Sequence, residues 1–412
     1  MAVVAAASFA VTCGTIPIVI WWARRRGAIV QPGDRSVHEA PTPTLGGAAM
    51  MAGLVAGLAV ASLLGGLSAV FDSPTNVIGV LVAAAIMFST GFIDDLKDVS
   101  APAKVAGMVL SGSVLTLAGL TIVNVPIPFV GFTVLAPDMA ALVSVLWVIV
   151  MANAINLIDG LDGLAAGTTA IAAGAFLVYG IKLQRVGALE PGNIGPLLAV
   201  IVVGVCLGFL PWNLHPAKIF MGDSGALLLG LLMASSTIAV GGQSDDSFTG
   251  QSWFFFAPLV IPLVILGIPI LDMVFAVLRR ATRRQGLATA DKDHLHHRLL
   301  RLGHGQRRSV AILWGFTFLL SAFVLIPVVT RRGTGILPVA LAAVALLLIT
   351  MLWPRLDGRR SAEADAEAES SSGVDAAPQD SSGELSIPDP VSHDLGARQP
   401  DRTDPDRVGH QT

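Results

Sequence analysis

Long apolar runs separated by short polar breaks set the pattern of this chain from Met1 to about Trp353. A helix needs about 20 apolar residues to cross the hydrocarbon core of a bilayer, and several of these runs reach that length without a charge. Cut at the polar breaks, they predict roughly eleven spans: 1–22, 46–70, 77–93, 103–123, 139–156, 164–183, 195–211, 225–241, 253–278, 309–329 and 335–353. The expected fold class is all-α, a polytopic integral membrane helix bundle that forms one catalytic domain over residues 1–353. The first run ends in Trp21 and Trp22 followed by Arg24, Arg25 and Arg26. A cleaved signal carries its charges first and a small-residue cleavage site last, so this run reads as a retained span with its amino end outside. From about Pro354 the pattern stops, and strings such as SAEADAEAESSSGVDAAPQDSSGE take over. They hold too little apolar surface to offset ordering entropy, which predicts a disordered acidic cytoplasmic tail over 354–412.

Composition agrees with the pattern: 53% of the residues are hydrophobic and 13% charged, which excludes a soluble multi-domain protein. Cys13 and Cys206 both lie inside apolar runs, so neither a disulfide framework nor a thiolate metal cluster is available. With the amino end outside, the cytoplasmic loops hold sixteen Lys and Arg and the outer loops four, in line with the positive-inside rule. The overall charge of −3 is misleading, because residues 355–412 contribute −7 and the membrane part +4.

Charge at membrane depth is costly and usually functional, so the span edges are where chemistry is sought. At the cytoplasmic end of the third run stand Asp94, Asp95 and Asp98 in G-F-I-D-D-L-K-D. If the helix continues, Asp94 and Asp98 share a face, and three carboxylates so close call for a cation or a bound proton. The alternative is a polar helix end with Lys97 and Lys104 as counter-charges. Asn153, Asn156, Asp159 and Asp162 follow in N-A-I-N-L-I-D-G-L-D-G, hard oxygen ligands in steps of three, or else an N-cap pair opening the next helix. In N-L-H-P-A-K-I-F-M-G-D-S-G, Gly222 and Gly225 bracket Asp223 and Ser224 at a helix start. Free backbone N–H groups there could meet an anion, although Asp-Ser is also an ordinary cap. His294, His296, His297 and Arg298 gather hydrogen-bond donors suited to a pyrophosphate in a basic loop, with positive-inside charge as the plain alternative. A proline-rich loop, P-G-D-R-S-V-H-E-A-P-T-P-T-L-G-G, holds Asp34, Arg35 and His38 at the same face.

In this order the strings P-T-P-x-L-G-G, D-D-x-x-D, N-x-x-N-x-x-D-G-x-D-G, K-I-F-M-G-D-S-G and H-x-H-H-R-L resemble the polyprenyl-phosphate N-acetylhexosamine-1-phosphate transferase family, from about residue 32 to 305. The resemblance implies transfer of a sugar-1-phosphate from a UDP-sugar to a membrane polyprenyl phosphate, with release of UMP and a need for magnesium or manganese. It implies Asp223 with Asn156 or Asp159 as metal ligands, and Asp94 or Asp95, with Asp98 nearby, to deprotonate or orient the lipid phosphate. Asp162, Asn213 and Phe220 are implied for the uridine pocket. His294, His296, His297 and Arg298 are implied on the sugar-phosphate side, and Asp34, His38, Asn153 and Lys218 among the substrate contacts. H-L-H-H-R-L-L-R-L-G-H looks like the branch that uses UDP-N-acetylglucosamine with undecaprenyl or decaprenyl phosphate. The muramoyl-pentapeptide branch is the alternative. The resemblance further implies a multi-pass protein of a bacterial plasma membrane, its site on the cytoplasmic face, a homodimer admitted and no nucleic-acid partner. An ion-coupled transporter is the rival from another class, but transport sites usually lie near the midplane between repeated halves. Here only Asp272 sits within a predicted span.

Overall fold

The computed structural model describes residues 1–31, 40–127, 131–241, 305–330, 337–348 and 350, all of them within one compact unit. The elements are α1 (Ala2–Arg26), β1 (Ile29–Val30), β2 (Thr42–Pro43), α2 (Gly47–Ser62), a 3-10 turn (Gly65–Leu67), α3 (Ser68–Phe71), α4 (Pro74–Lys97), α5 (Ala101–Leu117), β3 (Asn124–Ile127), β4 (Gly131–Val134), α6 (Pro137–Ile158), α7 (Leu164–Arg185), α8 (Gly195–Asn213), α9 (Gly222–Gly241) and α10 (Gln306–Thr330). A shorter helix, α11, covers Leu337–Leu348.

Among the described residues seven helices, α1, α4, α6, α7, α8, α9 and α10, are long and apolar enough to cross a membrane. The chain is a polytopic membrane helix bundle, since a helix satisfies all its own backbone groups where no water can. An eighth crossing arises if α2 and Gly65–Phe71, bent by 102°, count as one span. Ten of the eleven predicted runs carry a helix, and the run 253–278 lies outside the described residues, as does the tail beyond 350. Eleven crossings are therefore not reached among the described residues. Two runs depart from the expected single spans. The run 46–70 breaks after Ser62, where Gly65 and Gly66 weaken the helix. The run 103–123 stops at Leu117, with Gly119 at φ +89°, and its β-branched continuation pairs as the antiparallel hairpin β3–β4, Asn124 opposite Val134. Four helix starts follow a rule readable in the sequence, with Pro74, Pro102, Pro137 and Pro196 at the first or second position of α4, α5, α6 and α8.

Helix α9 is the axis of the bundle, buried from Ser224 to Gly241 and packed by α2, α4, α6 and α8. Its small residues permit this crowding: a Cβ on Gly230 would fall 2.8 Å from the backbone nitrogen of Ala152 in α6. Around that axis α1 packs on α2 and α8, α5 on α4 and α6, and α7 on α8 and α10. The carboxyl ends of α1, α4, α6 and α8 and the amino ends of α2, α5, α7, α9 and α10 meet at one end of the bundle, joined by contacts such as Gly46 N–H to Phe220 O and Arg307 to His215 O. The acids that the sequence places at span edges are thereby brought to one end.

Candidate active site

The site is organised by the first turn of α9. Gly222 has φ +69°, and a Cβ there would lie 2.6 Å from a carboxylate oxygen of Asp95, so only glycine fits. Asp95, in the last turn of α4, accepts hydrogen bonds from the Asp223 N–H (2.8 Å), the Ser224 N–H (3.1 Å) and the Ser224 hydroxyl (2.6 Å). A carboxylate from another helix thus supplies the N-cap, satisfying orphan amides and complementing the helix dipole. The sequence expectation of open amides for an anion is corrected here for these two N–H groups. On the opposite side the Gly46 and Gly47 N–H groups each donate, at 3.0 Å, to the carbonyls of Phe220 and Met221, and Phe220 N–H donates to Pro43 O at 2.9 Å. A Cβ at Gly46 would fall 2.6 Å from the Phe209 ring, and one at Gly47 2.5 Å from Ser224 Oγ. The glycines of P-T-P-T-L-G-G hold the G-D-S-G turn by close backbone approach.

Asp94 takes the Val99 N–H (2.7 Å) on one oxygen and the Lys104 ammonium (2.7 Å) on the other. Lys104 also reaches Asp223 at 2.6 Å, so one cation bridges α4 and α9 from α5. Asp98 does not join them. The helix ends at Lys97, and Asp98 sits exposed at φ +48°, which turns its side chain off the face that Asp94 occupies. The expected triad is therefore a pair with Lys104 as counter-charge, the alternative that the sequence left open for that lysine.

Helix α6 ends at Ile158, so Asn153, Asn156, Asp159 and Asp162 do not form one continuous helical stripe. Asp159 N–H donates to Asn156 O at 3.2 Å. Among the described residues nothing donates to its carboxylate, and burial, then the charges of Asp223, Asp95 and Asp162, push its pKa up to about 8. No side chain caps α7, which sets aside the N-cap reading of these aspartates. Asp162 is buried, accepts the Ala217 N–H at 3.1 Å and pairs with His215 Nδ1 at 2.8 Å. Asn213, also buried, accepts the Gly163 N–H and donates to Ile219 O, both at 3.0 Å, so its amide is spent on tying the 214–219 loop to the start of α7. Asn153 donates to Ile149 O at 2.8 Å, within its own helix. Lys218 lies with its ammonium 5.4 Å from the centre of the Trp212 ring.

Asp34, His38, His294, His296, His297 and Arg298 lie outside the described residues. The structure brings together Asp94, Asp95, Asp159 and Asp223, with Asp162 close enough for its charge to act on Asp159. Three participants had no role in the sequence reading: Ser224, His215, and Lys104 as a bridge. The two G-D-S-G glycines pointed to the turn that presents Ser224, and His215 stood unused in N-L-H-P. Lys104 stood in the sequence only as a counter-charge to the D-D-L-K-D acids, with nothing local to point it at Asp223.

Asp94 and Asp223 share one ammonium, Asp95 is bonded to the start of α9 beside them, and the charges of Asp223 and Asp95 act on Asp159. The donors are hard oxygens, and among the described residues nothing donates to the Asp159 carboxylate. Oxygens of this kind are what magnesium or manganese takes, while among the described residues no group of three or more His, Cys, Asp or Glu is placed to hold an ion.

Residues 77–241 match the family described as glycosyl transferase family 4. They run from α4 through α9 and contain Asp94, Asp95, Lys104, Asp159, Asp162 and Asp223. A decaprenyl-phosphate N-acetylglucosaminephosphotransferase of Mycobacterium tuberculosis is 39% identical to this chain, over 71% of the chain and 74% of the relative. A probable undecaprenyl-phosphate N-acetylglucosaminyl 1-phosphate transferase of Bacillus subtilis is 36% identical, over 75% and 80%. A phospho-N-acetylmuramoyl-pentapeptide-transferase of Desulforudis audaxviator is 31% identical, over 68% and 82%.

Proposed function

The chain belongs to glycosyl transferase family 4, and from that premise we propose that it transfers N-acetylglucosamine-1-phosphate from UDP-N-acetylglucosamine to a membrane polyprenyl phosphate, releasing UMP. The observation that carries this reading is the 39% identity to a decaprenyl-phosphate N-acetylglucosaminephosphotransferase over most of both chains. The muramoyl-pentapeptide reading rests on a lower identity, 31%. A site at one end of a bundle suits the two substrates, because a lipid phosphate arrives from the bilayer and a nucleotide from water. The Lys and Arg distribution favours the cytoplasmic face for that end.

In the proposed reaction a phosphate oxygen of the lipid attacks the sugar-bearing phosphorus of the donor, and the bridging P–O bond breaks as UMP leaves. Asp223 and Asp159, with Asn156, would hold a magnesium or manganese ion. When bound, that ion would neutralise charge building up on the pyrophosphate. Asp95 has both oxygens committed to α9 and so acts by placing Asp223. That leaves Asp94 to orient or deprotonate the lipid phosphate. Asp162, oriented by His215 and the Ala217 N–H, edges the nucleotide side together with Phe220.

Purified protein assayed with either UDP-sugar and with undecaprenyl or decaprenyl phosphate tests the assignment. UMP release with UDP-N-acetylglucosamine is expected, and turnover only with the muramoyl-pentapeptide donor refutes it. A phosphosugar adduct trapped on the protein without lipid acceptor would overturn direct attack.

A further inference from the structure

We infer that Lys104 is an internal counter-cation, holding Asp94 and Asp223 together until a divalent cation binds and displaces it. The inference rests on the proposal that Asp223 takes such a cation. It starts from a lysine in an unfavourable place. Lys104 is the fourth residue of α5, in the first turn, where the helix dipole is positive and opposes an ammonium. Its position is explained by what it reaches, Asp94 Oδ2 at 2.7 Å and Asp223 Oδ2 at 2.6 Å. Helix α5 is brought close enough for this by Gly107, where a Cβ would fall 2.6 Å from Thr90 Cγ2 of α4.

The two carboxylates come from helices more than a hundred residues apart in sequence. Without a cation between them they would repel each other, and Asp95 would add to the repulsion. Asp95 is neutralised in part by the amides and hydroxyl at the start of α9, whereas Asp159 has no donor among the described residues. Among the described residues Lys104 is the ammonium that pairs with Asp94 and Asp223. It holds Asp223, the carboxylate proposed for the divalent ion, and two cations there would repel each other strongly. Loading of the ion and release of Lys104 are then one event.

The test uses the full chain in detergent with Mn2+ as probe and no substrate, binding being read by electron paramagnetic resonance. Lys104→Met removes the competitor and is expected to tighten Mn2+ binding by about tenfold or more, while Lys104→Arg, which keeps the charge, stays at or below wild-type affinity. Equal or weaker binding by Lys104→Met overturns the inference and leaves the cation reading standing. Absence of Mn2+ binding in wild type and Lys104→Met alike overturns the cation reading, and this inference with it. A second measurement needs no variant. Acylation of Lys104 in the wild-type protein, followed by mass spectrometry, is expected to accelerate severalfold on adding Mn2+, and an unchanged rate overturns the inference.

Discussion

Replacing Asp95 with alanine removes three hydrogen bonds at once from the first turn of α9: those from the Asp223 N–H, the Ser224 N–H and the Ser224 hydroxyl. Hydrogen bonds to a charged group contribute about 1.5–3 kcal/mol each. The three share one carboxylate and are not additive, so the expected loss is about 3–4 kcal/mol for Asp95→Ala and about 1–1.5 kcal/mol for Ser224→Ala. Asp95→Asn keeps one acceptor oxygen and falls between. At roughly 2 °C per kcal/mol, Asp95→Ala lowers the melting temperature by about 6–8 °C. The assay is thermal unfolding in detergent with a thiol-reactive dye, because Cys206 is fully buried in α8 and reacts only when the bundle opens. Hydrogen exchange adds a local readout, with the Asp223 and Ser224 amides losing protection in Asp95→Ala. If Asp95→Ala melts like the wild type and keeps those amides protected while turnover disappears, the capping argument is wrong and Asp95 acts on substrate.

Asp223→Asn is expected to abolish Mn2+ binding and to lower turnover by at least about two orders of magnitude while the protein stays folded, as read by the same dye assay. Cation affinity should depend on pH through Asp159, whose pKa of about 8 makes it protonated and a poor ligand at neutral pH. Mn2+ titrations should therefore show binding strengthening up to tenfold per unit from about pH 6 and levelling above about pH 8. Without a cation the sign for folding is the opposite. The folded state holds a proton on Asp159 that the unfolded chain, with its carboxyl at 3.8, has already released, so this group's contribution falls as pH rises from about 4 to 8. Asp159→Asn should remove that slope in melting curves taken across the range. Asn213→Ala leaves the Gly163 N–H and the Ile219 carbonyl without their buried partner and should cost about 2–3 kcal/mol in denaturation experiments, with donor KM changed little by comparison.

The residues responsible for the site were visible in the sequence far better than their pairings. Hydropathy is a local property and a bilayer imposes one length, so the apolar runs placed ten helices and put Asp94, Asp159 and Asp223 at helix ends near one face. Pro74, Pro102, Pro137 and Pro196 marked four helix starts for a reason local to each residue. The same local reading left open whether α4 runs on to Asp98, because nothing in D-D-L-K-D says that Asp98 leaves the helix at φ +48°. It also took 103–123 for a single span when Gly119 and a β-branched stretch turn the chain into a hairpin.

What only the tertiary structure decided is which acid does which work. Asp95 meets the α9 amides across 128 and 129 residues, and Lys104 meets Asp223 across 119. Asn213, which the resemblance implies for the uridine pocket, accepts the N–H of Gly163 fifty residues away. Such distances are set by how closely helices pack, which depends on Gly47, Gly91, Gly222 and Gly230 meeting a neighbour's backbone or side chain. Hydropathy and motif order determine that carboxylates gather at one membrane edge. Helix packing determines that Asp95 is a cap and that Asp94 and Asp223 share a lysine.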